Sequence, residues 1–116
     1  MAVYTAIEFG SGQLNFFDVS SNTLMISNNG YDVLVDSTLT MPATSVRDDI
    51  LTITNFDATG FTIQCNVGET IFGLNAQTSP GGTIVATVPG TTLNLVCLVA
   101  ESEWQILTSI GELQFN

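Results

Sequence analysis

The sequence predicts an all-β protein, an antiparallel β-sandwich or a jelly-roll-like barrel, and three observations predict it. Period-two alternation recurs: in Phe61-Thr62-Ile63-Gln64-Cys65-Asn66-Val67 the apolar residues point one way and the polar ones the other. No window sustains apolar residues at i, i+3, i+4 and i+7, and Thr, Val, Ile and Phe prevail over good helix formers. Turn residues punctuate the chain at fairly regular spacing, as many short strands require.

In chain order, Tyr4–Phe9, Leu14–Val19 and Thr23–Ile26 read as the opening strands. Asn28-Asn29-Gly30 then supplies the positive φ angles of a tight hairpin turn ahead of Tyr31–Val35. Ser37–Met41 and Ile50–Asn55 follow, and Asp57-Ala58-Thr59-Gly60 joins Ile50–Phe56 to Phe61–Val67. Thr70–Phe72 and Thr83–Thr87 flank the break at Pro80-Gly81-Gly82, and Pro89-Gly90 precedes Thr91–Val99. Glu103–Thr108 closes the series. In Thr91–Ala100 one face carries Leu93, Leu95, Cys97 and Val99, while the other carries Asn94, Val96, Leu98 and Ala100. A strand apolar on both faces is covered on both. The cover for the second face is either a loop or layer of the same chain or another subunit. The predicted core contains Phe61, Ile63, Cys65, Leu93, Leu95, Cys97, Trp104 and Ile106.

Composition bounds the function. The 116 residues read as one domain, 1–116, with 1–30 as an N-terminal contacting arm and hairpin. A chain of this size buries roughly two-thirds of its unfolded surface, enough for a core without staples. Only 10% of residues are charged, against about 25% in ordinary soluble domains. The net charge is −10, and Arg47 is the single cation. Nucleic acid and anionic membrane surfaces need Lys and Arg, so neither is an expected partner. With no His and no Lys, the commonest general base, Schiff-base chemistry and P-loop phosphate binding are missing, so no enzyme and no cofactor is expected. Cys65 and Cys97 sit in apolar strands and read as buried free thiols, which suits folding in a cytoplasm. Met1-Ala2-Val3-Tyr4-Thr5 lacks the charged start and apolar run of a signal peptide.

The order of motifs from Tyr31 to Thr108 resembles the β-structured domains of tailed-bacteriophage virion proteins, the small trimeric fibre, knob and head-decoration modules. It runs from Asp32-Val33-Leu34-Val35-Asp36-Ser37 through Thr38-Leu39-Thr40-Met41-Pro42 and Asp49-Ile50-Leu51-Thr52-Ile53-Thr54-Asn55 to Phe61-Thr62-Ile63-Gln64-Cys65. Gly68-Glu69-Thr70-Ile71-Phe72-Gly73, Gly82-Thr83-Ile84, Thr92-Leu93-Asn94-Leu95-Val96 and Glu103-Trp104-Gln105-Ile106-Leu107 complete it. Each motif alone is a strand and a turn; the order carries the likeness. The resemblance implies a homotrimer on a virion, made in the host cytoplasm, with itself and the major capsid protein or other virion proteins as partners. Fibre proteins usually carry an attachment segment, often a coiled coil, whereas here about thirty residues precede the match without heptads.

Several residues are candidates for chemistry, each beside a plainer role. Asp48-Asp49, Asp32 with Asp36, and Glu101 with Glu103 are paired carboxylates of the kind glycoside hydrolysis uses, or solvated strand ends. Even spacing places each of the latter two pairs on one strand face if the strand is regular. Asp32, Asp36, Asp48, Asp49 and Asp57 lack the EF-hand pattern, so an acidic surface is expected rather than a metal site. Trp104, Tyr4 and Tyr31 would stack on a sugar if exposed; a lone Trp beside Gln105 and Ile106 is otherwise a core anchor. Arg47 pairs locally with its acidic neighbours or bridges subunits, with Val96 and Leu98 on the same interface. Val3, Tyr4, Ile7, Phe9, Leu14 and Phe16 form the candidate arm that contacts a capsid or a neighbour by strand addition. The expectation is a non-enzymatic capsid decoration or cement protein on the head exterior. The alternatives are a tail-fibre or receptor-binding knob that reads a host glycan, or a non-viral carbohydrate-binding or adhesin-like module.

Overall fold

The computed structural model describes residues 14–56 and 58–116, and among them every regular element is a β-strand. In chain order these are β1 (Asn15–Val19), β2 (Thr23–Leu24), β3 (Asn29–Val33), β4 (Thr38–Thr40), β5 (Ile50–Asn55) and β6 (Phe61–Gln64). Then follow β7 (Thr70–Gly73), β8 (Ala76–Gln77), β9 (Thr83–Ala86), β10 (Thr92–Val99), β11 (Glu103–Ile110) and β12 (Leu113–Phe115). They form a first sheet in the order β1-β3-β5-β10-β11-β7-β8 and a second in the order β12-β9-β6-β4-β2. The inward residues of both sheets meet in one apolar cluster, an arrangement consistent with a β-sandwich.

The sheets are mixed, not antiparallel as the sequence suggested. From β1 to β6 the chain alternates strictly between the two sheets, so β1–β3, β3–β5, β2–β4 and β4–β6 all pair in parallel. Parallel neighbours need a long crossover. Here each crossover contains a strand of the opposite sheet, which turns this half of the molecule into a flattened coil. The second turn of the coil is the longer one, because residues 41–49 loop out between β4 and β5. Side-chain alternation is the same for a hairpin and for such a coil, so periodicity could not separate them.

Asn28-Asn29-Gly30 illustrates the correction. Asn28 does take φ 67°, but β2 and β3 lie in different sheets, so the segment is a corner and not a hairpin. The Asn28 side chain accepts from Ile50 N–H at 3.0 Å and donates to Asp49 Oδ1 at 3.2 Å, extending the β3–β5 ladder past its end. Ala58-Thr59-Gly60, expected to join Ile50–Phe56 to Phe61–Val67, likewise lies between strands of different sheets, β5 and β6, while Asp57 lies outside the described residues. Gly60 has to be glycine there, since a Cβ would lie 2.2 Å from the Ala86 carbonyl oxygen.

The second half contains two hairpins. β7 and β8 pair antiparallel across Leu74-Asn75, and β10 and β11 pair antiparallel across a turn in which Glu101 takes φ 56°. β8 and β12 are additional to the strands read from the sequence, and the expected strand Tyr4–Phe9 lies outside the described residues. Phe61, Ile63, Cys65, Leu93, Leu95, Cys97 and Trp104 are all buried, and Ile106 packs partly buried against them. Val99 differs from the expectation. A register shift between Cys97 and Val99 breaks the alternation, and Val99 is exposed.

Candidate functional site

Among the described strands, the outer face of the first sheet is where side-chain chemistry concentrates. Val19 and Tyr31 point into the core, so their neighbours Phe16, Asp18, Gly30 and Asp32 point outward. Register then sorts the face into three rows. The middle row is Phe16, Gly30, Thr52, Asn94 and Thr108. One flanking row runs Ile50, Val96, Gln105 and Phe72, and the other runs Asp18, Asp32, Thr54, Thr92 and Ile110.

The polar groups of the middle row satisfy one another. Thr52 Oγ1 donates to Asn94 Oδ1 at 2.7 Å, and Asn94 Nδ2 donates to Thr108 Oγ1 at 2.7 Å. In the row beside it, Gln105 Nε2 donates to the Phe72 and Ile106 carbonyls at 3.1 and 3.2 Å. Burial of the middle row and of the Ile50–Val96 row leaves few polar groups stranded, whereas Asp18 and Asp32 keep the opposite flank for water. Ile50 and Leu107 rise around this ladder and line a groove of about 290 Å³ with Thr52, Asn94 and Thr108. Phe16 lies flat at the β1 end because Gly30 leaves room beneath it; a Cβ at Gly30 would lie 2.3 Å from the ring.

The structure brings Arg47, Val96 and Leu98 to one end of this face. Asp48 N–H donates to the Cys97 carbonyl at 2.9 Å, and Cys97 N–H to the Asp49 carbonyl at 2.8 Å, which ties the Arg47 loop to the strand carrying Val96 and Leu98. Arg47 and Leu98 are exposed and Val96 is half-buried. No second layer of the described residues lies over Leu98. Of the candidate arm, Leu14 is half-buried and Phe16 exposed on the edge strand β1, while Val3, Tyr4, Ile7 and Phe9 lie outside the described residues.

The strand faces expected to be shared by Asp32 with Asp36 and by Glu101 with Glu103 are not formed. β3 ends at Val33, so Asp36 lies beyond the strand that carries Asp32, and the shared face expected for them is absent. Asp36 instead fastens a corner, accepting from Thr59 N–H, Thr59 Oγ1–H and Gly60 N–H at 3.0, 2.6 and 3.1 Å. Those bonds, the Thr59 hydroxyl first, hold its pKa below the ordinary value. Glu101 sits in the turn before β11, off the strand of Glu103. Asp49 spends its carboxylate on Val46 N–H and the Asn28 amide. Among the described residues, no three His, Cys, Asp or Glu side chains come together in a way that could hold a metal. Asp57 lies outside them.

Neither Tyr31 nor Trp104 offers a ring to solvent: they are 4% and 0% exposed. The Tyr31 hydroxyl accepts from Ile26 N–H at 2.7 Å. Trp104 lies beside a buried polar group the sequence reading passed over, Glu69. The Glu69 Oε1 accepts from Asn66 N–H at 2.9 Å, while its Oε2 and the Trp104 indole N–H lack partners in good hydrogen-bond geometry. Burial pushes the Glu69 carboxyl above its ordinary value, only partly opposed by the Asn66 N–H and the approach of the indole N–H. Burial likewise raises the Cys65 thiol, and the nearby Glu69 charge adds to the shift. Thr52, Asn94 and Thr108 were also missed. Their signal exists only once register sets them side by side.

Comparison of the chain with protein-family models finds no matching family, and comparison with curated proteins finds no match.

Proposed function

We propose that the protein is a non-enzymatic structural module of a bacteriophage particle, a decoration or cement protein that binds the capsid exterior as a homotrimer. The observation that carries this reading is the outer face of the first sheet. Away from the flank that carries Asp18 and Asp32, it combines internally satisfied polar side chains with Ile50, Val96, Leu107 and Phe16, and that part suits burial against protein more than contact with water. The motif order from Tyr31 to Thr108 supports the phage assignment. The mechanism is mechanical. A preformed sandwich straddles neighbouring capsid subunits, and three-fold symmetry multiplies one weak contact through avidity. The partners are further copies of this chain and the major capsid protein. The acidic surface keeps the free protein soluble.

Copy number in purified particles, measured by quantitative mass spectrometry against the major capsid protein, tests this reading. A ratio near that of the capsid protein supports decoration, a ratio typical of tail components supports the fibre knob, and absence from particles removes both. Val96→Glu and Arg47→Gln are expected to lower the oligomer mass in solution; an unchanged mass would remove these residues from the subunit contact. One observation favours the glycan-binding alternative. A polar groove of about 380 Å³ on the second sheet is lined by Asn22, Asp36, Thr38, Thr59 and Thr62. Glycan-array binding that Thr38→Val and Thr62→Val abolish would select that alternative.

A further inference from the structure

The first sheet steps back by one strand beside β11. β10 pairs with β11 from end to end, but β7 pairs only with Glu103, Trp104 and Gln105. Among the described residues no strand lies on that side of Leu107–Ile110, and all four are exposed. Their backbone is aimed outward. Cys97 N–H donates to the Asp49 carbonyl on the β5 side, so alternation turns the backbone groups of Asn94 and Thr92 toward β11. Thr108 and Ile110 face them, which leaves the N–H and carbonyl of Ser109 pointing to the open side. Next to this edge lies a recess of about 370 Å³ whose walls include Leu74, Ile106, Leu113 and Phe115. Ile106, Leu113 and Phe115 pack against the core yet are only partly buried. Ser109 lies opposite the buried Leu93 and so faces inward, and its short side chain leaves the recess open.

An unpaired edge over an apolar recess fits an extended segment: its backbone meets the Ser109 groups and its inward apolar side chain enters the recess. Charge selects the source. A second copy would set a net charge of −10 against −10, and Glu112 adds a carboxylate in the turn just past β11. We propose that Leu107–Ile110 is the docking edge for an extended, basic segment of the major capsid protein, which adds to β11 as a strand. The naming of the capsid protein rests on the particle reading above; the edge and the chemistry of its occupant do not. Two contacts are thereby separated: copies meet through the outer face of the sheet, and the capsid meets its edge.

Titration of the full chain with the peptide acetyl-KTVTVTK-amide, read by backbone amide NMR shifts, tests the edge. Shifts are expected at Leu107–Ile110 and not at Asn15–Val19. Ser109→Pro removes the outward N–H and is expected to weaken binding roughly tenfold. Glu112→Lys, in an exposed turn, is expected to weaken it severalfold and keeps the test independent of how the proline variant folds. No binding, shifts confined to other strands, equal affinity for acetyl-ETVTVTE-amide, or unchanged affinity in either variant would overturn the proposal. Slow hydrogen exchange of the Ser109 amide in the free protein would overturn it too, since the edge would then be covered by the chain itself. Purified particles decide the source. Ser109→Pro present at the parent's copy number would show that the capsid docks elsewhere. Absence of the parent from particles would instead remove the particle reading, and the peptide titration alone would then decide the edge.

Discussion

The two halves of the molecule solve the same packing problem by different routes. From β1 to β6 the chain coils between the sheets, and each corner must turn the backbone through the thickness of the core. From β7 onward two hairpins, β7–β8 and β10–β11, alternate with crossings between the sheets, and their turns at Leu74-Asn75 and Glu101 close between adjacent strands. The corners of the coil are held by side chains bonded to backbone: Asn28 to Ile50, Asp36 to Thr59 and Gly60, and Asn55 to Ala58. The hairpins are closed first by pairing of their own strands, and the one at Glu101 adds a single side-chain bond, from Glu101 N–H to the buried Ser45 hydroxyl at 2.8 Å. A coil therefore concentrates its vulnerability in a few polar corner residues, while the hairpin half depends on its apolar interior.

The largest expected effect tests the hairpin half. Trp104 is fully buried in β11, opposite Cys97 and beside Ile71 in register. Trp104→Ala should cost about 3–5 kcal/mol, through lost burial and the cavity left behind. Urea denaturation reads it directly. A loss below about 1 kcal/mol, within the range of ordinary surface substitutions, would mean that the interior does not bear this half.

Asn55 probes the junction of the halves. Its amide donates to the Val88 carbonyl at 3.3 Å and its Oδ1 accepts from Ala58 N–H at 3.0 Å, within a side chain only 2% exposed. Asn55→Ala strips the Ala58 N–H of its partner, while the Val88 carbonyl keeps the Thr91 N–H and hydroxyl, and about 1–3 kcal/mol of stability should go with the lost Ala58 bond. The same urea curves measure it, and Asn55→Asp should do no better than Asn55→Ala at pH 7, since it keeps the acceptor for Ala58 but turns a carboxylate oxygen toward the Val88 carbonyl inside a buried site. Stability equal to the parent's in the Asp variant would show that the amide donor contributes nothing.

How much of this was legible follows from which signals survive without register. Phe61, Ile63, Leu93, Leu95 and Trp104 could be placed in the core, because alternation reports burial on one strand at a time. Strand direction could not be read, because Asn28-Asn29-Gly30 offers the same positive φ to a hairpin and to a corner. The ladder Thr52-Asn94-Thr108 joins three strands, and nothing local distinguishes its members from any outward polar residue. Arg47 was singled out as the single cation and Val96 and Leu98 by a strand apolar on both faces, and the backbone bonds of Asp48 and Asp49 to Cys97 tie the Arg47 loop to that strand. Glu69 entered the sequence reading only as a member of the Gly68–Gly73 motif. Its burial follows from tertiary packing alone.

Acid separates the halves by sign. The Glu69 carboxyl, in the hairpin half, has its pKa raised above 4.5 by burial, so the folded state holds its proton more tightly than the unfolded chain does. Its contribution is therefore greatest below pH 4.5 and is lost as pH rises through the elevated folded value. Glu69→Gln should remove that slope: relative to the parent protein, the variant gains stability on going from pH 4.5 to pH 7. A stability difference that stays constant over this range would show that the carboxyl titrates normally.

Asp36, in the coil half, should do the opposite and by less, because it is exposed and solvent screens it. Its pKa is lowered from 3.8 by the Thr59 hydroxyl and the Gly60 and Thr59 amides, so the folded state favours the carboxylate. The stabilisation is complete above pH 3.8 and disappears as pH falls through the depressed folded value. Asp36→Asn keeps one acceptor oxygen but loses the charge, so it should be weaker than the parent at pH 6 and converge with it as acid carries the pH down through the depressed folded value. Denaturation midpoints for the two proteins across that interval decide the matter. If the gap stays open in acid, the side chain acts through shape and not charge, and the contrast between the halves rests on Glu69 alone.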